Sequence, residues 1–149
     1  MSTAQQEPRI VVGLDGSQPS KQALRWAARQ AQLMHAQLEV ITTWDVPALY
    51  GWTGSEDLRE MEDAARTVVT DSIEEVLGAD AGPYLSARVV QGNAARVLID
   101  ASRRASLLVV GSRGHGGFTE ALLGSVGQHV TQHAHCPVLI TRGPDQGDG

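Results

Sequence analysis

An apolar run, Leu107 to Val110, breaks at Gly111, and glycines follow at 114, 116 and 117 before the chain resumes a helical pattern that reaches Gly124-Ser125. A strand, a glycine-rich turn and a helix in that order suit a phosphate. Backbone without Cβ atoms brings N–H groups close to an anion, and a helix N-terminus adds unpaired donors and partial positive charge. Arg113 and His115 project from the loop, where they could add charge beside a polyphosphate or point into solvent. The Ser125 hydroxyl could donate to a phosphate oxygen or back to its own helix. Asp15, in the turn Asp15-Gly16-Ser17, is the other chemically suggestive residue; by itself it reads as an Asx turn or a helix cap.

The loop is not a Walker A motif, which needs a Lys-Ser or Lys-Thr pair after its last glycine; no lysine stands between Gly111 and Val126. It also comes too late in the chain for a Rossmann fingerprint, which follows the first strand. His129 and His133, four apart, share a helical face, and His135 and Cys136 follow, a spacing that can bind zinc. Histidines near a helix C-terminus also interact favourably with its dipole, and Pro137 marks that end. No metal is assigned there, and Cys136, just before an apolar strand, reads as a core thiol. No carboxylate beside the loop is spaced as an evident base for phosphoryl transfer, so no catalytic residue is assigned.

Composition narrows the field. A chain of 149 residues, 42% hydrophobic and 19% charged, is expected to form one globular domain with a real core. Its net charge of -5 argues against gripping a nucleic-acid backbone, and Lys21 is its one lysine. A bound polyphosphate must then rely on backbone N–H groups, arginine or histidine, and a divalent cation such as Mg2+. Neither a signal-peptide pattern nor a membrane-length apolar run is present, and a single cysteine excludes an intrachain disulfide; the expected location is the cytoplasm.

The elements that must position these residues alternate. Ile10 to Leu14 is apolar on both faces, as in a buried parallel strand, and Leu24, Ala27, Ala28, Ala31 and Met34 recur at helical spacing over Ser20 to about His35. Leu38 to Trp44 reads as the second strand. Residues 46 to 56, with Tyr50 and Trp52, form an irregular loop, either a lid or partner contact or a surface loop tucked down by its aromatics. A helix from about Leu58 ends at Gly78, a third strand runs Tyr84 to Val90, and a third helix runs Ala94 to Ala105. The fourth strand is Leu107 to Val110, the fourth helix Thr119 to about His133, and the fifth strand Val138 to Thr141. Residues 1–8 and 143–149 are expected tails, flanking a domain over 9–142. Five strands alternating with four helices predict an α/β, Rossmann-like domain: a parallel sheet with helices on both faces. An order of 3-2-1-4-5 would put the ligand crevice between strands one and four, where Asp15 faces the Gly111 to Gly117 loop.

The spacing Gly111, two residues, Gly114, nine residues, Gly124-Ser125 resembles the nucleotide-binding motif of the universal stress protein family, in the subclass that binds ATP. The opening VVGLDGSQPSKQALRWA, then VVQGNAARVLIDAS, LLVVGSRGHGG and HAHCPVLIT are similar to that family's successive blocks, and the likeness runs from Ile10 to Thr141 with gaps around residues 46 to 60. The resemblance implies that Asp15 contacts the nucleoside, with Gly13 and Leu14 beside it. It implies that Val110, Gly111, Arg113, Gly114, Gly124, Ser125 and Val126 surround ribose and phosphates, and that Thr42 and Thr43 lie near adenine. ATP with Mg2+ is the implied ligand. Family members commonly pair through the last strand, which implies a homodimer through Val138, Leu139, Ile140 and Thr141; that short apolar edge is otherwise unprotected until Arg142. The expected function is a cytoplasmic nucleotide sensor in a stress response, with no nucleic acid or membrane as partner. Alternatives are a slow ATPase or phosphotransfer protein, and a nucleotide-free dimeric interaction module.

Overall fold

The computed structural model describes residues 7–45, 55–112 and 124–142. Five strands, β1 (Arg9–Gly13), β2 (Gln37–Trp44), β3 (Leu85–Gln91), β4 (Leu107–Gly111) and β5 (Val138–Thr141), form one sheet in the order β3-β2-β1-β4-β5. Every neighbouring pair is parallel, with Val11 level with Glu39 on one side and Leu108 on the other. Four helices connect them: α1 (Gln18–Met34), α2 (Ser55–Val76), α3 (Ala94–Ala101) and α4 (Ser125–His133). The alternation and the strand order are therefore those expected for a doubly wound α/β fold.

Local chemistry accounts for the first unit. Ile10, Val11 and Val12 are fully buried because β1 is central and covered on both faces. Ser17 caps α1, its Oγ accepting the Ser20 N–H at 3.3 Å, and Pro19 sits in the first turn, where its missing N–H costs nothing. The helix ends at His35 in a left-handed conformation, φ 55°, whose N–H closes back on the Ala31 and Gln32 carbonyls. Ala23, Ala27, Ala28 and Ala31 lie on its buried face, and their small size brings the helix close to the strands.

The core divides at the sheet. Ile10, Val12, Leu38, Val40 and Val109 point toward α1 and α2, while Val11, Ile41, Leu108 and Val110 point toward α3 and α4, with Leu98 and Val130 packed on them. Burying each such aliphatic side chain contributes about 1.5–3 kcal/mol. Because α1 leaves β1 on one face and α4 leaves β4 on the other, the chain parts at the carboxyl ends of these two neighbouring strands, leaving a crevice there.

Boundaries differ where tertiary contacts compete with periodicity. The fourth helix was expected from Thr119; residues 119–123 lie outside the described set, but α4 begins at Ser125, with Gly124 extended at φ -68° and ψ 169°. The Gly124 N–H donates to the Ser112 carbonyl at 2.8 Å, a bond that excludes helical pairing for a residue with poor helix propensity. The third helix stops at Ala101 and tightens into a 3-10 turn over Ser102–Arg104. There the fully buried Ser102 donates to Ile99 O at 2.5 Å and accepts the His135 N–H at 2.8 Å. The second helix already begins at Ser55, two residues inside the expected loop, whose positions 46–54 lie outside the described residues, as do 1–6 and 143–149 of the expected tails. Pro8, at the end of the first tail, accepts the Gln37 N–H at 2.8 Å and so is tied to β2. Among the described residues, no helix is long and apolar enough to cross a membrane.

Candidate functional site

One wall of the crevice is the turn after β1. Asp15 Oδ1 accepts the Ser17 N–H at 2.9 Å and the Ser17 hydroxyl at 2.5 Å, closing an Asx turn across Gly16, whose φ of 87° favours glycine. The Asp15 N–H donates to Ser20 Oγ at 3.2 Å, and Ser20 Oγ donates to the Ser17 carbonyl at 3.0 Å. Asp15 is exposed while Ser17 and Ser20 are buried, so the buried hydroxyls hold the turn and leave the carboxylate at the rim.

The opposite wall is the end of β4. Gly111 is half-buried beneath Pro19, and a Cβ built on it would lie 2.7 Å from the Pro19 carbonyl carbon. Only glycine allows the two walls to meet this closely. The Ser112 N–H donates to Thr141 O at 2.7 Å, and the Ser112 carbonyl accepts the Gly124 N–H at 2.8 Å. The second bond ties the start of α4 directly to the end of β4. Gly124, having no side chain, supplies no side-chain cap to α4. The first intrahelical bond is Gln128 N–H to Gly124 O at 3.0 Å, so the amides of Ser125, Val126 and Gly127 precede the hydrogen-bonded ladder.

The remaining expected site residues sort by accessibility. Gly13 lies at the end of β1, where a Cβ would meet Leu98 Cδ1 at 2.8 Å, so α3 closes over it. Leu14 and Val110 are buried, at 3% and 4% exposure, so their side chains face the core and only their backbone borders the crevice. Thr42 is also buried and its hydroxyl donates to Leu14 O at 2.8 Å; it braces β1 against β2, and Thr43, half-buried, is the threonine left nearer the surface. Ser125 is exposed, and Val126 packs on the α3–α4 core. Arg113, Gly114 and His115 lie outside the described residues. Pro19, Ser20 and Ser112 complete the walls without having been singled out in the sequence; the signal available for Pro19 was its place in the first turn of the helix that follows Asp15.

His129 and His133 lie on α4, and His135 and Cys136 follow its end. The His129 and His133 rings are tilted by 33° with centroids 6.3 Å apart, and His129 Nδ1 lies 3.1 Å from Ser125 O. Among the described residues, no group of three or more His, Cys, Asp or Glu is placed to hold a metal ion. Cys136 donates to Pro137 O at 3.3 Å, and burial pushes its thiol up from the ordinary cysteine range. A second electrostatic centre escaped the sequence reading. Glu39, third in β2 and toward the strand's opposite end from the crevice, is buried, with Arg88 Nε donating to Oε2 at 2.6 Å. Its buried Oε1 makes no hydrogen bond, but Arg9 Nη1 and Arg104 Nη2 stand 3.7 and 3.9 Å away. A lone carboxylate inside the apolar run LEVI was the clue.

A parallel, doubly wound sheet with a glycine-lined crevice at its switch point defines the class as Rossmann-like α/β proteins. Within that class the chain belongs to the universal stress protein family, whose sequence profile matches residues 8–142. It is 36% identical over 156 aligned residues to the universal stress protein Rv2623 of Mycobacterium tuberculosis, an alignment covering 97% of this chain and 51% of that protein. The chain thus spans about half the length of the curated relatives it matches. Its fold is similar to that of a universal stress protein solved in complex with cAMP, at a TM-score of 0.69 and 24% identity, covering 90% of this chain and 96% of that one. It is also similar to the universal stress protein of Archaeoglobus fulgidus in complex with dAMP, at a TM-score of 0.58 and 21% identity, covering 91% and 98%.

Proposed function

We propose that this protein holds an adenine nucleotide, ATP with Mg2+, in the crevice between β1 and β4, and acts in the cytoplasm as a nucleotide-dependent regulator in a stress response. The observation that carries the reading is the convergence of the Asp15 turn, Gly111 and the α4 N-terminus on one rim, held by the Gly124–Ser112 bond. Asp15 with Gly13, Leu14 and Thr43 would border the nucleoside. Val110, Gly111, Gly124, Ser125 and Val126, with Arg113 and Gly114 from the intervening segment, would surround ribose and phosphates through backbone amides. The cAMP and dAMP carried by two similarly folded proteins share adenine, a pentose and one phosphate, the part of the ligand this rim would grip first. Regulation requires that nucleotide bind one conformation more tightly than another.

The proposal extends to assembly: a homodimer in which the edge strand β5, with Val138, Leu139, Ile140 and Thr141 all half-buried, pairs with a second copy.

The test is to denature the purified protein, identify released small molecules by mass spectrometry, and then measure the melting temperature with added ATP, AMP and cAMP. Retained adenine nucleotide and a rise of several degrees on adding one of the three are expected; at a hundredfold excess over Kd the stabilisation is ~2.7 kcal/mol. No released nucleotide together with no shift would overturn it.

A further inference from the structure

Among the described residues, the exposed large apolar side chains are Trp26, 39% exposed, and Leu33, 70% exposed, both on α1. They are seven positions apart and so lie on one stripe of the helix, with Pro19, seven before Trp26, at its head. Contacts on the other sides of the helix fix where the stripe faces. Lys21 Nζ meets Glu75 of α2 at 2.8 Å and Gln32 Nε2 reaches Tyr84 Oη at 3.4 Å, which places positions 21 and 32 on the α2 flank. Ser20, Ala23, Leu24, Ala27, Ala28 and Ala31 are buried toward the sheet. At about 100° per residue, positions 19, 26 and 33 then fall on the flank away from α2. That is the β5 flank, as Thr141 Oγ1 of β5 donating to Pro19 O at 3.4 Å shows directly.

We infer that Trp26 and Leu33 form a second contact layer over the seam where a second copy of this chain pairs with β5, so that helix and strand together make the interface. The inference rests on the dimer proposed above and names the side chains that carry it. Strand pairing alone is too small: a four-residue edge is roughly 13 Å long, whereas a stable interface removes about 800 Å² from each partner. Antiparallel pairing of two β5 edges sets the twofold axis perpendicular to the sheet, so both α1 helices lie on the same face. With strands about 4.8 Å apart, β4 and its counterpart stand roughly 14 Å apart. Because α1 packs over β1, β4 and β5, the two α1 axes are separated by at least that much, beyond the 8–10 Å of directly packed helices. Large apolar side chains on the facing flanks would close that gap. Rv2623 carries as much chain again as the part aligned here, enough for a second unit of this size.

Sedimentation velocity of the full chain, as wild type, as the double variant Trp26→Glu/Leu33→Glu and as the off-stripe control Arg25→Ala, tests this. The wild type and the control are expected to dimerise at micromolar concentration, and the double variant to bind at least tenfold more weakly with an unchanged circular dichroism spectrum. A dimeric wild type whose double variant dimerises equally well overturns the inference and leaves the β5 dimer standing. A monomeric wild type overturns both. If the charged variant does not fold, Trp26→Gln/Leu33→Gln is measured against the same two outcomes.

Discussion

Gly111, the last residue of β4, lies so close to Pro19 in the first turn of α1 that an added Cβ would sit 2.7 Å from the proline carbonyl carbon, 2.8 Å from its oxygen and 2.9 Å from its Cβ. Two of these atoms are backbone, so relief requires moving a helix end rather than rotating a side chain. Gly111→Ala is expected to cost about 1–3 kcal/mol by overpacking and to lower the melting temperature by roughly 3–10 °C in calorimetry. An unchanged melting temperature would mean that the two walls are not locked against each other.

Ser17 serves two structures at once, capping α1 through Ser20 N–H and donating to Asp15 Oδ1. Ser17→Ala removes both side-chain bonds but keeps the 2.9 Å backbone bond that closes the Asx turn. A loss of about 1 kcal/mol in urea denaturation is expected. On the proposed function, Ser17→Ala weakens nucleotide binding less than Asp15→Ala does in calorimetric titration; the reverse ranking would move the nucleoside contact away from Asp15.

The buried Thr42 hydroxyl bonds Leu14 O at 2.8 Å and bridges the ends of β2 and β1 just below the rim. Thr42→Val keeps the shape of the side chain and removes the donor. The expected destabilisation is about 1–3 kcal/mol, the cost of a carbonyl deprived of its partner. Amide exchange at Leu14 should quicken in the variant, whereas unchanged exchange would show that this bond does not restrain the turn.

Glu39 holds Arg88 by a hydrogen bond and draws in Arg9 and Arg104, whose side chains are 38% and 54% exposed. Glu39→Gln leaves three guanidinium groups facing one another around a neutral amide. Removing one partner of a fully buried pair costs about 3–5 kcal/mol, and the solvent access of these arginines lowers the expected loss to roughly 1–3 kcal/mol. Raising the salt concentration should narrow the gap between wild type and variant in urea denaturation; a gap that does not depend on salt would point to lost packing instead.

Burial raises the Cys136 thiol pKa, so its thiolate is scarcer in the native protein than in the unfolded chain at any mildly alkaline pH. The associated stability is fully present below the pH at which an unfolded thiol ionises, and it is lost as pH rises through the higher native pKa. Iodoacetamide labelling at pH 8 is expected to be slower in native than in guanidinium-unfolded protein. Equal rates would rule out the desolvated thiol.

The elements were legible because their causes are local. An apolar run on both faces marks β1, alanines at helical spacing mark α1, and the turn Asp15-Gly16-Ser17 precedes its start, all within one or two turns of chain. The glycine-rich stretch was legible as a place for close backbone approach, since glycine's missing Cβ acts wherever it stands. What sequence could not supply was the partner of each such feature. It offered Thr119 as a helix start because periodicity runs on through Gly124, and it passed over Glu39 because the three arginines around it come from β1, β3 and the turn after α3.

The sequence by itself determined the alternation of strands and helices and the family likeness, because propensity, hydrophobic period and glycine spacing are properties of short stretches. Only the tertiary structure decided that Gly111 lies under Pro19, that Gly124 stays extended and bonds Ser112, and that Thr141 of β5 reaches the first turn of α1. Those relationships depend on how the elements pack, which brings together groups as distant in sequence as Pro19 and Gly111, and hydrogen bonds and close contacts form only between groups already brought within a few ångströms.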